Sequence, residues 1–88
     1  RWAPSSYNSQ PWRLLYARRD TPHWPTFFGL LNEFNQSWAA RAAALVIIVS
    51  REKFLPPGAS AEIPSHSHSF DAGAAWAHLA LQAIRSGW

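Results

Sequence analysis

Residues 4–12 read PSSYNSQPW and crowd hydrogen-bonding side chains between two prolines and beside aromatic rings. Asn8 and Gln10 each carry a donor and an acceptor on one planar amide, and the hydroxyls of Ser5 and Ser6 can do either. Such a set can grip the edge of a planar heterocycle whose donors and acceptors alternate, as on the pyrimidine edge of a flavin. The apolar end of such a ring wants proline or aromatic neighbours, which this loop also has. Pro4, Ser5, Ser6, Asn8 and Gln10 are therefore candidate ligand contacts by composition. The same groups could instead satisfy their own backbone, as Ser and Asn often do.

Other chemistries find less support. His66 and His68 flank Ser67 and would share a face of an extended segment, while His23 and His78 stand apart. A zinc site wants three or four ligands, and no Cys or carboxylate stands at a usual spacing, so solvent-facing histidines are the expectation and no metal is assigned. His68, Ser69 and Asp71 crowd together, but a triad is defined by geometry and not by adjacency. A helix-capping serine followed by an acidic first turn explains the same residues. Arg interleaved with Trp could stack on single-stranded nucleic acid. The six tryptophans fall in several elements, however, and the eight Lys and Arg are scattered, so nucleic acid is not the expected partner. Core packing is expected for Trp76 and Trp12.

The elements that must position the loop follow from pattern. The chain has 88 residues, a single domain at most, with no cysteine, a formal charge of +3, 48% hydrophobic and 15% charged residues. That is apolar for a small monomer, so some of this surface is expected to meet another subunit or further parts of the same protein. The absence of cysteine fits a cytoplasmic protein; no stretch approaches a membrane-spanning length and no signal peptide is visible. Residues 1–3 could end a helix, and residues 13–18 (RLLYAR) predict a strand. Pro25 suits the first turn of a helix running to Glu33, and Asn35 suits the cap of a second. Residues 44–50 (ALVIIVS) predict a strand buried on both faces. Residues 52–67, with Pro56-Pro57-Gly58 and Pro64, predict a long loop. Residues 69–86 predict the clearest helix: Ala72, Ala75, Trp76, Leu79, Ala80 and Ala83 repeat along one face, with Ser69 as cap and Gly87 as stop. The order suggests an α+β or α/β chain with too few strands to close a sheet alone.

PSSYNSQPW closely resembles the flavin-contacting loop of the nitroreductase family, Pro-Ser-x-x-Asn-x-Gln-Pro-Trp. Residues 32–51 (NEFNQSWAARAAALVIIVSR) resemble that family's flavin-contacting Asn, short helix and buried strand, and residues 69–83 (SFDAGAAWAHLALQA) resemble its long central helix. The resemblance covers nearly the whole chain, in order. It implies an α+β nitroreductase-like fold, here two strands and about three helices of a larger dimeric domain, with residues 1–88 truncated at both ends. It implies FMN at a homodimer interface, with Pro4, Ser5, Ser6, Asn8 and Gln10 reaching the flavin held mainly by the partner, and Asn35 meeting its pyrimidine side. Trp38 stands where many relatives have a lysine, a departure of subfamily. The family's Arg-rich opening and its C-terminal basic residue, which hold the FMN phosphate, are not in these 88 residues, so this stretch alone is expected to be inactive and to bind FMN poorly. The implied activity passes electrons from NAD(P)H to a nitroaromatic, quinone or similar small-molecule acceptor, with no side chain acting as nucleophile or acid. The alternatives are a non-catalytic or degenerate flavin-binding module and, further off, a basic-aromatic nucleic-acid-binding domain.

Overall fold

The apolar runs and proline breaks of the chain resolve, in a computed structural model describing residues 1–88, into eight short elements. A 3-10 turn at Ser6–Asn8 is followed by β1 (Trp12–Arg18), α1 (Trp24–Phe28), α2 (Glu33–Ala39), β2 (Ala44–Ser50), β3 (Lys53–Phe54), β4 (Ile63–Pro64) and α3 (His68–Arg85). The chain is α+β, with two two-stranded sheets. β1 pairs with β2: the Arg51 N–H donates to the Pro11 carbonyl at one end (2.8 Å) and the Arg19 N–H to the Ala43 carbonyl at the other (2.9 Å), so the strands run antiparallel. β3 and β4 are also antiparallel, Lys53 opposite Pro64 and Phe54 opposite Ile63. The chain divides into two compact units, one of Arg1–Arg13 and Ile48–Trp88, the other of Leu14–Ile47.

In the Leu14–Ile47 unit, Pro25 sits in the first turn of α1, where its missing N–H costs nothing. The helix stops at Phe28, short of the expected Glu33, because Asn32 takes an extended conformation and begins a new helix. The Asn32 side chain accepts from the Asn35 N–H at 2.8 Å, so Asn32 and not Asn35 is the cap of α2, and the helix starts about one turn earlier than expected with Asn35 inside it. Gln36 donates its amide to the carbonyls of Phe28 (3.2 Å) and Leu31 (2.9 Å). The Phe28 carbonyl also accepts from the Leu31 N–H (3.1 Å), so Gln36 ties the α1–α2 connection back to α2 at two carbonyls. Ala17 and Ala39 are the buried apolar residues of this unit.

In the other unit no helix forms at residues 1–3. The expected loop at 52–67 is partly paired: the β3–β4 ladder is extended by the Ser65 N–H on the Glu52 carbonyl (2.8 Å), and Gly58 turns the chain at φ 76°. Arg51 and Glu62 form an ion pair across its base. α3 begins after Ser67 and not after Ser69, since the Asp71 N–H already donates to the Ser67 carbonyl (2.8 Å). At its other end the Trp88 N–H bonds the Ala83 carbonyl and the Gly87 N–H the Ile84 carbonyl, with Gly87 at φ 88°. This is a Schellman cap, which a residue without Cβ allows. Ala72, Ala75 and Ala83 do lie on the covered side of α3, but Trp76 is 61% exposed and is no core residue. Trp12 is half-buried. β2 is also only half-buried along its length, not buried on both faces.

Candidate functional site

The opening loop is a folded object with visible strain. Its 3-10 turn closes by Asn8 N–H to the Ser5 carbonyl (3.0 Å) and Ser9 N–H to the Ser6 carbonyl (3.0 Å). Tyr7, Asn8 and Gln10 take φ of 53°, 51° and 47°. Left-handed backbone costs a residue with a Cβ about 1–2 kcal/mol. Three such residues within four positions need compensation from their surroundings, and stored strain of this kind clusters at ligand sites.

The compensation is legible in the bonds. Ser5 Oγ accepts from the Gln10 N–H at 3.0 Å, bridging the turn. The Arg13 guanidinium donates to the carbonyls of Gln10 (3.1 Å) and Trp12 (2.7 Å). The Ser6 N–H donates to Asp71 Oδ2 at 3.0 Å, and Ser67 Oγ donates to the same oxygen at 2.9 Å. Asp71 and Ser67 were not among the residues expected at this site. A Ser at 67 with an Asp four residues on, opening a helix, was the available signal, and it reads at first only as a cap.

The side chains of the loop are partly consumed by it and partly not. Gln10 Nε2 donates to Asn8 Oδ1 at 3.0 Å. That leaves Asn8 Nδ2 as a donor and Gln10 Oε1 as an acceptor with no partner in the chain, on two amides joined to each other. The expectation that the loop satisfies its own backbone therefore holds in part for Ser5, whose Oγ accepts from the Gln10 N–H while its O–H stays free to donate, and fails for these two. Pro4, Ser6, Asn8 and Gln10 are all exposed and Ser5 half-buried.

Beside the turn lies a cavity of about 330 Å³, walled by Tyr7, Asn8, Ser9, Arg51, Lys53 and Phe54 among others. The Tyr7 and Phe54 rings meet at 5.4 Å between centroids, tilted by 37°. Ser9 Oγ is buried there without a partner, a cost of about 1–3 kcal/mol unless something polar meets it.

Asn35 belongs to the other unit, in the first turn of α2. Its Oδ1 accepts weakly from the Trp38 indole N–H at 3.3 Å, which leaves its Nδ2 as a donor. His68, expected to face solvent, is half-buried with Nδ1 2.7 Å from Ser50 Oγ and 3.3 Å from Ser69 Oγ. Asp71 turns to Ser6 and Ser67 instead, so these residues do not line up as a triad. His66 is exposed, and no group of three His, Cys, Asp or Glu could hold a metal ion. No helix is long and apolar enough to cross a membrane.

No protein-family model matches the chain, and no curated protein matches it. Among solved structures, the chain is similar to a crystal structure of an oxidoreductase containing FMN, at 49% sequence identity and a TM-score of 0.88, over 98% of this chain and 43% of that one. The likeness thus runs along nearly every residue described above, while the chain spans less than half the length of the protein it matches.

Proposed function

We propose that this chain is part of an FMN-dependent oxidoreductase of nitroreductase type, a cytoplasmic homodimer that passes electrons from NAD(P)H to a nitroaromatic, quinone or similar acceptor. The observation that carries the proposal is the 49% identity, sustained over 98% of the chain, to an oxidoreductase containing FMN. The unspent groups of the loop fit the ring: Asn8 Nδ2 would donate to a carbonyl oxygen of the pyrimidine edge, and Gln10 Oε1 would accept from a ring N–H. Pro4 would offer an apolar surface, and the hydroxyls of Ser5 and Ser6 further donors. Asn35 Nδ2 would add a donor on the pyrimidine side. When bound, the flavin would supply the hydride- and electron-transfer chemistry. The chain's own residues orient it: the joined Asn8–Gln10 amides fix which edge faces the protein, and the strained turn holds them there before the ligand arrives. Such preorganisation lowers the cost of binding.

The test is reconstitution of the protein at its natural length with FMN, followed by NAD(P)H oxidation with a nitroaromatic or a quinone as acceptor. The expected result is one FMN per chain and acceptor-dependent oxidation. A Ser5→Ala, Asn8→Ala double variant should bind FMN about tenfold or more weakly, the loss of about one or two hydrogen bonds. A protein that takes up no FMN, or a double variant with unchanged affinity, would sink the assignment of the loop.

A further inference from the structure

Asp71 is a carboxylate only 5% exposed, yet neither ion pair of the chain includes it. A buried charge without a counter-charge persists only where hydrogen bonds replace its water. Here the donors are the Ser6 N–H and Ser67 Oγ, both on Oδ2, from two segments 61 residues apart in sequence (67 − 6). Asp71 also sits in the first turn of α3, where the helix dipole favours a negative group. The Ser6 amide it holds is the first residue of the strained turn, immediately before Tyr7 and Asn8 with their positive φ. A charged acceptor makes a stronger bond to an amide than a neutral one does. An eighteen-residue helix gives that acceptor a fixed position.

We infer that Asp71 is a positioning residue for the flavin loop: its carboxylate clamps the Ser6 amide and so holds the Tyr7–Gln10 backbone in the form that presents the Asn8 and Gln10 amides. Ser67 Oγ, donating to the same oxygen, orients the carboxylate. Asp71 itself touches no ligand. The inference rests on the reading of the loop as a flavin site.

The experiment uses the protein at its natural length, as wild type, Asp71→Ala, Asp71→Asn and Ser67→Ala. It measures the FMN dissociation constant by flavin fluorescence and, without FMN, the amide hydrogen exchange of Ser6, Asn8 and Gln10. Asp71→Ala should weaken FMN at least tenfold and speed exchange at Ser6 and Gln10, while amides in the middle of α3 such as Ala75 and Leu79 stay protected. Asp71→Asn keeps the shape and one acceptor, so it should fall between Ala and wild type; Ser67→Ala should cost less than Asp71→Ala. An FMN affinity in Asp71→Ala within twofold of wild type, or unchanged exchange at Ser6, overturns the inference. Should Asp71→Ala not fold, Asp71→Asn decides by the same two readouts. If the wild type binds no FMN, the flavin reading fails, and the Ser6 exchange still decides whether Asp71 holds the loop.

Discussion

Asn32 and Asn35 divide two tasks on one short helix. Asn32 stands outside α2 with extended backbone and takes the Asn35 N–H on its side chain. Asn35 stands inside, its amide engaged only by the long contact to Trp38. Asn32→Ala should therefore cost about 1 kcal/mol in chemical denaturation, and Asn35→Ala much less; equal losses would mean that the cap is misplaced. If Asn35 meets the flavin, its variant should instead lower FMN affinity, which separates the two roles in one pair of proteins. An asparagine near a helix start was legible, but which one caps was not, because the choice depends on Gln36 folding back onto the carbonyls of Phe28 and Leu31. The candidate site shows the same division. The chemistry of Pro4 to Gln10 was readable from residue type, whereas Asp71 lies 65 residues from Ser6, and its local pattern showed a helix start but not its tie to the loop. The Arg51–Glu62 pair is a further case where contact and value differ. Both side chains are about half exposed, so Glu62→Gln should change stability by less than about 1 kcal/mol, and a larger loss would show that the pair closes the β3–β4 ladder.

The two glycines at α3 make opposite demands. Gly73 lies within the helix with nothing near the place a Cβ would occupy. Gly73→Ala should stabilise the protein by up to about 1 kcal/mol, since alanine loses less backbone freedom in a helix. Gly87 is equally uncrowded but sits at φ 88° in the Schellman cap. Gly87→Ala should destabilise by about 1 kcal/mol through conformation alone. Urea denaturation of both variants checks the pair, and a shift in the same direction for both would show that space, not backbone angle, governs the helix. This helix was the most legible element, since its alanine spacing named the inward face within one residue at each end. What the spacing could not tell is how far that face extends: Trp76 borders it and stays open. β2 was legible as a strand from its β-branched run, while its burial was not, because burial belongs to layers that one segment cannot specify. β3 and β4 escaped notice because two residues each, one of them Pro64, carry no period.

Across the molecule, apolar side chains are abundant and their burial is slight. The buried apolar residues are four alanines and Pro11, and no large side chain is fully enclosed. Phe70, Leu81, Ile84 and Trp88 are all exposed; the first three lie on α3 at spacings of eleven and three, which share one helical face, and Trp88 follows just past its cap. Apolar surface of this extent marks a face that meets other protein. The composition alone foretold such a deficit; it could not say where the uncovered face lies. The proposed homodimer assigns it a role: α3 would pack against its counterpart along this stripe. A Leu81→Lys, Ile84→Lys double variant of the protein at its natural length then places two charges where two copies must meet. Charges left unpaired in a desolvated interface cost several kcal/mol in total, so sedimentation should show dimer giving way to monomer at micromolar concentration. Because the loop is expected to reach a flavin held by the other subunit, the monomer should lose FMN in parallel. A variant that stays folded, dimeric and loaded would place the dimer interface elsewhere. One that unfolds without passing through a folded monomer would show that the stripe is covered by further segments of the same chain.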